Sequence, residues 1–138
     1  MTSPRSVQAA DDGAVILLVE DEIAMRALFR AALARADDGR VRSARVLEAP
    51  DLATARRLLA ADPPHAIVLD ARLPDGDGLD LARELRAAHP RGGPRVIIAS
   101  ASVLPSEQAA ALATGADLFL PKPYRPAELT AALASLLP

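Results

Sequence analysis

Ala66-Ile67-Val68-Leu69-Asp70 is an unbroken apolar run closed by a carboxylate. A strand covered on one face alternates apolar with polar residues, whereas a strand covered on both faces does not. The run therefore predicts a short strand inside a parallel sheet, with Asp70 where the chain leaves the sheet. The same grammar occurs upstream, where Val15-Ile16-Leu17-Leu18-Val19 runs into Glu20-Asp21. Strands buried on both faces need helices on both sides.

Helix signals do alternate with strand signals along the chain. After Asp21, Glu22, Arg26 and Arg30 stack four apart, with Ala24, Leu28 and Ala31 expected on the inner face. Asp37-Asp38-Gly39 breaks that helix. A weak second strand is expected from about Val41 to Glu48, interrupted by Arg42 and Arg45 as suits an edge. Asp51 is placed to cap a helix that turns Leu52, Ala55 and Leu59 inward and stops at Pro63-Pro64. Asp77 caps the next, which is expected to bury Leu81, Leu85 and Ala88. Arg95 to Ser100 reads as strand four, Ser106 to Thr114 as helix four with Gly115 at its end, and Asp117 to Leu120 as strand five. Pro126 opens the last helix, whose stripe is Leu129, Leu133 and Leu136. Five β-α units with short connections imply a flavodoxin-like, doubly wound parallel sheet, (βα)5, in the order 2-1-3-4-5. Ligands then belong at the carboxyl ends of strands one and three.

The 138 residues suffice for one such domain, expected over 14–138, with the polar stretch 1–13 expected to be a disordered tail. No apolar run reaches the ~18 residues that span a bilayer, and the start lacks the apolar core of a signal peptide. Cysteine is absent, which excludes disulfides and thiolate chemistry. The expectation is a cytoplasmic protein. A net charge of −2 with mixed signs points to neither nucleic acid nor membrane as a partner of this domain. Of the sixteen basic residues only Lys122 is a lysine, in a chain that otherwise uses arginine. Such a lysine suits a place that needs a compact point charge rather than a planar fork.

The fold brings the acids together. With strands one and three adjacent, Glu20, Asp21 and Asp70 share one end of the sheet and repel one another. A hard divalent cation relieves the conflict, and Mg2+ typically takes one or two carboxylates, waters and a phosphate oxygen. Lys122 after strand five and Ser100 at the end of strand four face the same edge, as an ammonium and a hydroxyl for a phosphoryl group. An ionised Asp70 is a competent nucleophile toward phosphorus.

Four segments carry a resemblance to a known family: Leu17 to Glu22, Ile67 to Gly78, Ile97 to Ala101 and Gly115 to Tyr124. In this order and spacing the chain resembles the receiver domains of two-component response regulators, from about Ala14 to Leu137. The resemblance implies that Asp70 is the phosphorylated aspartate, a phosphoacceptor rather than the nucleophile of a turnover enzyme. It implies Mg2+ held directly by Asp21 and Asp70, through water by Glu20, and by the backbone carbonyl of Arg72. Ser100 and Lys122 match the hydroxyl and lysine that hold the phosphoryl oxygens. Phe119 falls where the family keeps a rotating aromatic, Lys122-Pro123 where its peptide is usually cis, and Arg72 and Ser102 where side chains tune hydrolysis. The partners implied are a sensor histidine kinase or phosphotransfer protein upstream, and a downstream protein or fused output domain.

Rival readings fare worse. A phosphatase working through an aspartyl phosphate wants a second acid two residues after its nucleophile, where Arg72 stands. A phosphate-independent interaction module on a receiver fold would be expected to have lost the nucleophile, a metal acid or the lysine. Asp75, Asp77, Gly78 and Glu84 mimic part of a calcium loop, but its first position is Leu73 and a strand precedes it. His65 and His89 lack metal-ligand spacing and read as surface residues. Helices four and five carry one charge each, Glu107 and Glu128, too few to build a salt-bridged dimer across that face.

Overall fold

The computed structural model describes residues 13–102 and 104–138. The tail expected over 1–13 thus lies, apart from Gly13, outside the described residues. Five parallel strands form one sheet: β1 (Val15–Val19), β2 (Arg45–Ala49), β3 (Ala66–Asp70), β4 (Arg95–Ser100) and β5 (Leu118–Pro121). Their order is β2-β1-β3-β4-β5, as the alternation of signals implied. The helices α1 (Ile23–Ala34), α2 (Leu52–Ala61), α3 (Gly78–Ala88), α4 (Pro105–Ala113) and α5 (Pro126–Leu136) follow the strands in turn. One helical turn, Gly39–Arg42, and a small hairpin pairing Arg72–Leu73 with Gly76–Asp77 complete the secondary structure described. Among the described residues no helix is long and apolar enough to cross a membrane.

The two-sided burial has a direct cause. Successive residues of a strand point to opposite faces, so β1 sends Ile16 and Leu18 to one side and Leu17 and Val19 to the other. Ile16, Leu18, Val68 and Ile97 pack with Phe29 and Leu33 of α1 and Leu129 and Leu133 of α5. Leu17, Val19, Ile67, Leu69 and Ile98 pack with Leu52 of α2, Leu81 of α3 and Ala111 of α4. Each large side chain so buried contributes about 1.5–3 kcal/mol.

Caps fix where the helices begin. Asp51 accepts from the Thr54 N–H at 2.8 Å, and Asp77 from the Leu79 N–H at 2.8 Å. The start of α2 has a second acid that sequence order conceals. Asp75, in the turn of the hairpin, accepts from the N–H groups of Leu52 and Ala53 at 2.8 and 3.0 Å. Those backbone donors hold its carboxyl below the usual range. The loop after β3 is thereby pinned to α2. Gly115, at φ +97°, follows α4 and donates to the Leu112 carbonyl at 3.0 Å, the left-handed exit expected of it.

Several local expectations need correction. The inner face of α1 is Phe29, Ala32 and Leu33, whereas Leu28 is 64% exposed and Ala24 and Ala31 face outward. Arg26 and Arg30 do not point away from the sheet but reach Glu48 on β2, which turns Phe29 inward. Val41, expected to begin β2, is fully buried in the helical turn instead, and the strand starts at Arg45. Asp38 caps that turn through the N–H groups of Arg40 and Val41. Ala88 is exposed, Leu59 and Leu85 are half-buried, and α4 opens at Pro105 rather than Ser106. β5 is shifted one residue along, to Leu118–Pro121.

The Asp38 cap yields a pH prediction. Arg40 bonds Asp38 at 2.7 Å, and its guanidinium also donates to the carbonyls of Ala134 and Leu137 at 2.9 and 3.0 Å. The hydrogen bond from Arg40 is the main reason the Asp38 carboxyl is lowered to about 2. A depressed carboxyl contributes stability that is complete above its unfolded value of about 4 and vanishes as pH falls through its folded value. Asp38→Asn should therefore melt below the parent at neutral pH, and the gap should close as pH falls from about 4 towards 2. Thermal unfolding across that window checks it, and a gap independent of pH would refute the assignment.

Candidate functional site

The carboxyl ends of the strands open on one edge of the sheet. β1 hands over to Glu20, whose N–H donates to the Ala49 carbonyl at 2.9 Å while its own carbonyl accepts from Arg26 at 2.8 Å. The side chain is thereby held inward at 3% exposure. There it accepts from Lys122 Nζ at 2.6 Å and from the Glu22 N–H at 3.2 Å. Asp70, the last residue of β3, accepts from the same Nζ at 3.0 Å and from the Arg72 N–H at 3.1 Å. Lys122 reaches both because its N–H donates to the Ser100 carbonyl at 2.8 Å, which carries β5 onward beside β4. The Lys122–Pro123 peptide that follows is cis.

One carboxylate oxygen each from Glu20, Asp21 and Asp70 lies within 4.8 Å of the other two. Asp21 is exposed, Asp70 half-buried and Glu20 buried. Burial pushes the Glu20 carboxyl above its ordinary value, outweighing the pull of Lys122 and the Glu22 N–H. Burial also works against the charge on Lys122, but the two carboxylates prevail and its ammonium is held above the usual lysine value. The donor set is oxygen only, without histidine or cysteine, and so fits a hard cation such as Mg2+ and not a soft one.

Ser100 closes β4 at the same edge, and its Oγ accepts from the Ser102 N–H at 3.2 Å. Arg72 and Ser102 line the cleft into which Asp70 opens, together with Ser100, Glu107 and Lys122. Phe119 is half-buried on β5 and lines a small, mostly apolar cavity with Ile98, Ala110 and Ala111. The residues that the resemblance assigns to the site thus lie at or beside one edge.

Two contributors escape sequence reasoning. Gly78 opens α3 with its N–H on the Ala71 carbonyl, and a Cβ there would lie 2.1 Å from the Asp70 carbonyl oxygen. No other residue fits that approach; in the sequence it stands only as the glycine after the cap that closes the segment Ile67 to Gly78, with no role assigned to it. Glu107 is the other, a first-turn residue of α4 that enters the cleft from its far wall. The apparent calcium loop is dispersed, with Asp75 bonded to the start of α2, Asp77 capping α3 and Glu84 paired with Arg56 at 2.6 Å. His65 is exposed and accepts from the Val15 N–H at 3.0 Å.

The chain matches the response regulator receiver domain over residues 16–134. It is 42% identical over 120 residues to the KDP operon transcriptional regulatory protein KdpE of Escherichia coli K12, covering 86% of this chain and 48% of KdpE. It is 39% identical over 129 residues to the response regulator MprA of Mycolicibacterium vanbaalenii, covering 88% and 49%. The chain thus spans about half the length of the curated relatives it matches. A solved receiver domain of the sensor histidine kinase PA1611 from Pseudomonas aeruginosa PAO1 has a magnesium ion coordinated in its active-site cleft. It is 32% identical to this chain with a TM-score of 0.74, covering 90% of this chain and 97% of that one. This chain belongs to the receiver domains of response regulators.

Proposed function

We propose that the chain accepts a phosphoryl group on Asp70 from the phosphohistidine of a sensor kinase or phosphotransfer protein. The observation that carries this reading is the gathering of three carboxylates within 4.8 Å of one another, two of them bonded to the only lysine of the chain. Lys122 is already 3.0 Å from Asp70. A carboxylate oxygen of Asp70 attacks phosphorus in line as the bond from phosphorus to the histidine nitrogen breaks, and that nitrogen keeps the electron pair. Lys122 shifts its contact to a phosphoryl oxygen and offsets the charge gathering there. Asp21, Asp70 and the Arg72 carbonyl would hold Mg2+ directly and Glu20 through water. Bound there, the cation neutralises the crowded carboxylates and phosphoryl oxygens. The magnesium in the PA1611 receiver supports that choice of metal.

The product is a signal. The chain catalyses only its own phosphorylation and dephosphorylation. The phosphoryl group brings new acceptor oxygens within reach of the Ser100 hydroxyl. As Ser100 turns, the loop that leads to α4 moves with it, and Phe119 has the adjoining cavity to enter. The altered surface serves a downstream protein or an output domain in the same polypeptide. Contacts with nucleic acid, where that output makes them, lie outside this domain.

Acetyl phosphate with Mg2+ should add one phosphoryl group to the intact protein, as read by mass spectrometry, and a chelator should prevent it. Asp21→Ala should also abolish the adduct while leaving thermal stability equal or slightly higher, because it relieves repulsion between acids. Normal phosphorylation of that variant would overturn the metal assignment.

A further inference from the structure

The cleft over Asp70 has two walls. One is the hairpin that begins at Arg72, and the other is the first turn of α4, which carries Glu107. Both residues line the cleft that contains Asp70 and Lys122, and both line the adjoining hollow along the hairpin. Among the described residues neither side chain takes part in an ion pair. The acid opposite Arg72 across the hairpin, Asp77, is occupied in capping α3. Asp21 and Asp70 belong to the acidic cluster itself. Glu22 also lines the cleft but not the hollow along the hairpin, so among the described residues Glu107 is the acid outside any ion pair or cap that shares both spaces with Arg72.

We propose that Glu107 is a positioning residue for phosphoryl lifetime, holding Arg72 as a latch over phosphorylated Asp70. The inference rests on the phosphoacceptor reading above. A guanidinium has donors along more than one edge, so Arg72 can give one edge to a phosphoryl oxygen and another to the Glu107 carboxylate. The new charge on Asp70 draws Arg72 inward, and Glu107 keeps it from swinging back to solvent. Hydrolysis needs a water on phosphorus opposite the Asp70 oxygen. The bond from water to phosphorus forms, the bond to Asp70 breaks, the carboxylate is regenerated with the electron pair, and inorganic phosphate leaves with the water's oxygen and both its protons, one of which it exchanges with solvent. A bridged Arg72 covers that approach. It also ties the first turn of α4 to the phosphoryl group by a link separate from Ser100.

The test follows decay of the adduct on the intact protein after removal of acetyl phosphate, in Mg2+ buffer. Arg72→Ala and Glu107→Gln should each shorten the lifetime about twofold to fivefold, the scale of an exposed ion pair. The double variant should decay no faster than the faster single variant. The charge-swapped pair Arg72→Glu with Glu107→Arg should live longer than Arg72→Glu alone, which a merely structural role for Glu107 would not produce. An unchanged lifetime in Glu107→Gln, or additive effects in the double variant, overturns the latch while leaving the phosphoacceptor reading intact. Absence of any adduct on the parent chain overturns both.

Discussion

Asp70→Asn should acquire no phosphoryl group from acetyl phosphate and Mg2+, where the parent chain gains one. The substitution exchanges one carboxylate oxygen for an amide nitrogen of similar size, so the packing of β3 and the approach of Gly78 to the Asp70 carbonyl are retained. What disappears is the anionic nucleophile. A neutral amide does not attack phosphorus at a useful rate, and the effect on adduct yield is complete rather than graded. Intact-protein mass spectrometry reads the result directly. A phosphoryl adduct on Asp70→Asn as stable as that of the parent would place the acceptor elsewhere. A phosphate-independent module would give no adduct on either protein, so this pair of measurements also separates that rival.

How far the sequence could carry these conclusions depends on the kind of signal each rests on. The runs at Val15–Val19 and Ala66–Asp70 are unambiguous because burial on both faces leaves no polar alternation to misread. From them follow the strand order and, with it, the meeting of Glu20, Asp21, Asp70, Ser100 and Lys122. Alternation of strand and helix gives the order of elements, but an alanine-rich helix says little about its own orientation. In α1 the deciding feature was the capture of Arg26 and Arg30 by Glu48 on β2, a contact 22 and 18 residues distant in the chain. The Asp75 cap of α2 is of the same kind, an acid and its donors separated by the rest of that helix and by β3. Gly78 shows a different limit. Its necessity lies in a distance to the Asp70 carbonyl that no residue pattern encodes. Legibility therefore ends where orientation and close approach begin.

Lys122→Met tests the electrostatics of the site apart from its chemistry. Glu20 is 3% exposed and bonded to Lys122 at 2.6 Å, so loss of the ammonium leaves a buried carboxylate without its counter-charge. In Mg2+-free buffer near neutral pH the variant should lose about 3 kcal/mol of stability, the low end of the range for a broken buried ion pair. The dependence on pH distinguishes this cause from lost packing. Burial already holds Glu20 above its ordinary value, and removal of Lys122 raises it further. For an acid whose folded value is raised, the folded state holds the proton longer than the unfolded chain does. Stability is then lost as pH rises from the unfolded value of about 4.3 towards the folded value, and the loss levels off above it. The cost of Lys122→Met should accordingly be small near pH 4 and grow towards neutrality. Methionine retains most of the apolar stem, so a packing defect alone would cost the same at both ends. Combining it with Glu20→Gln should recover most of the stability, because a neutral amide needs no cation and keeps its contact with the Glu22 N–H. Chemical denaturation at pH 4.5 and pH 7.5 decides the matter. A pH-independent loss that Glu20→Gln does not repair would mean that Lys122 supports the fold through its stem rather than its charge.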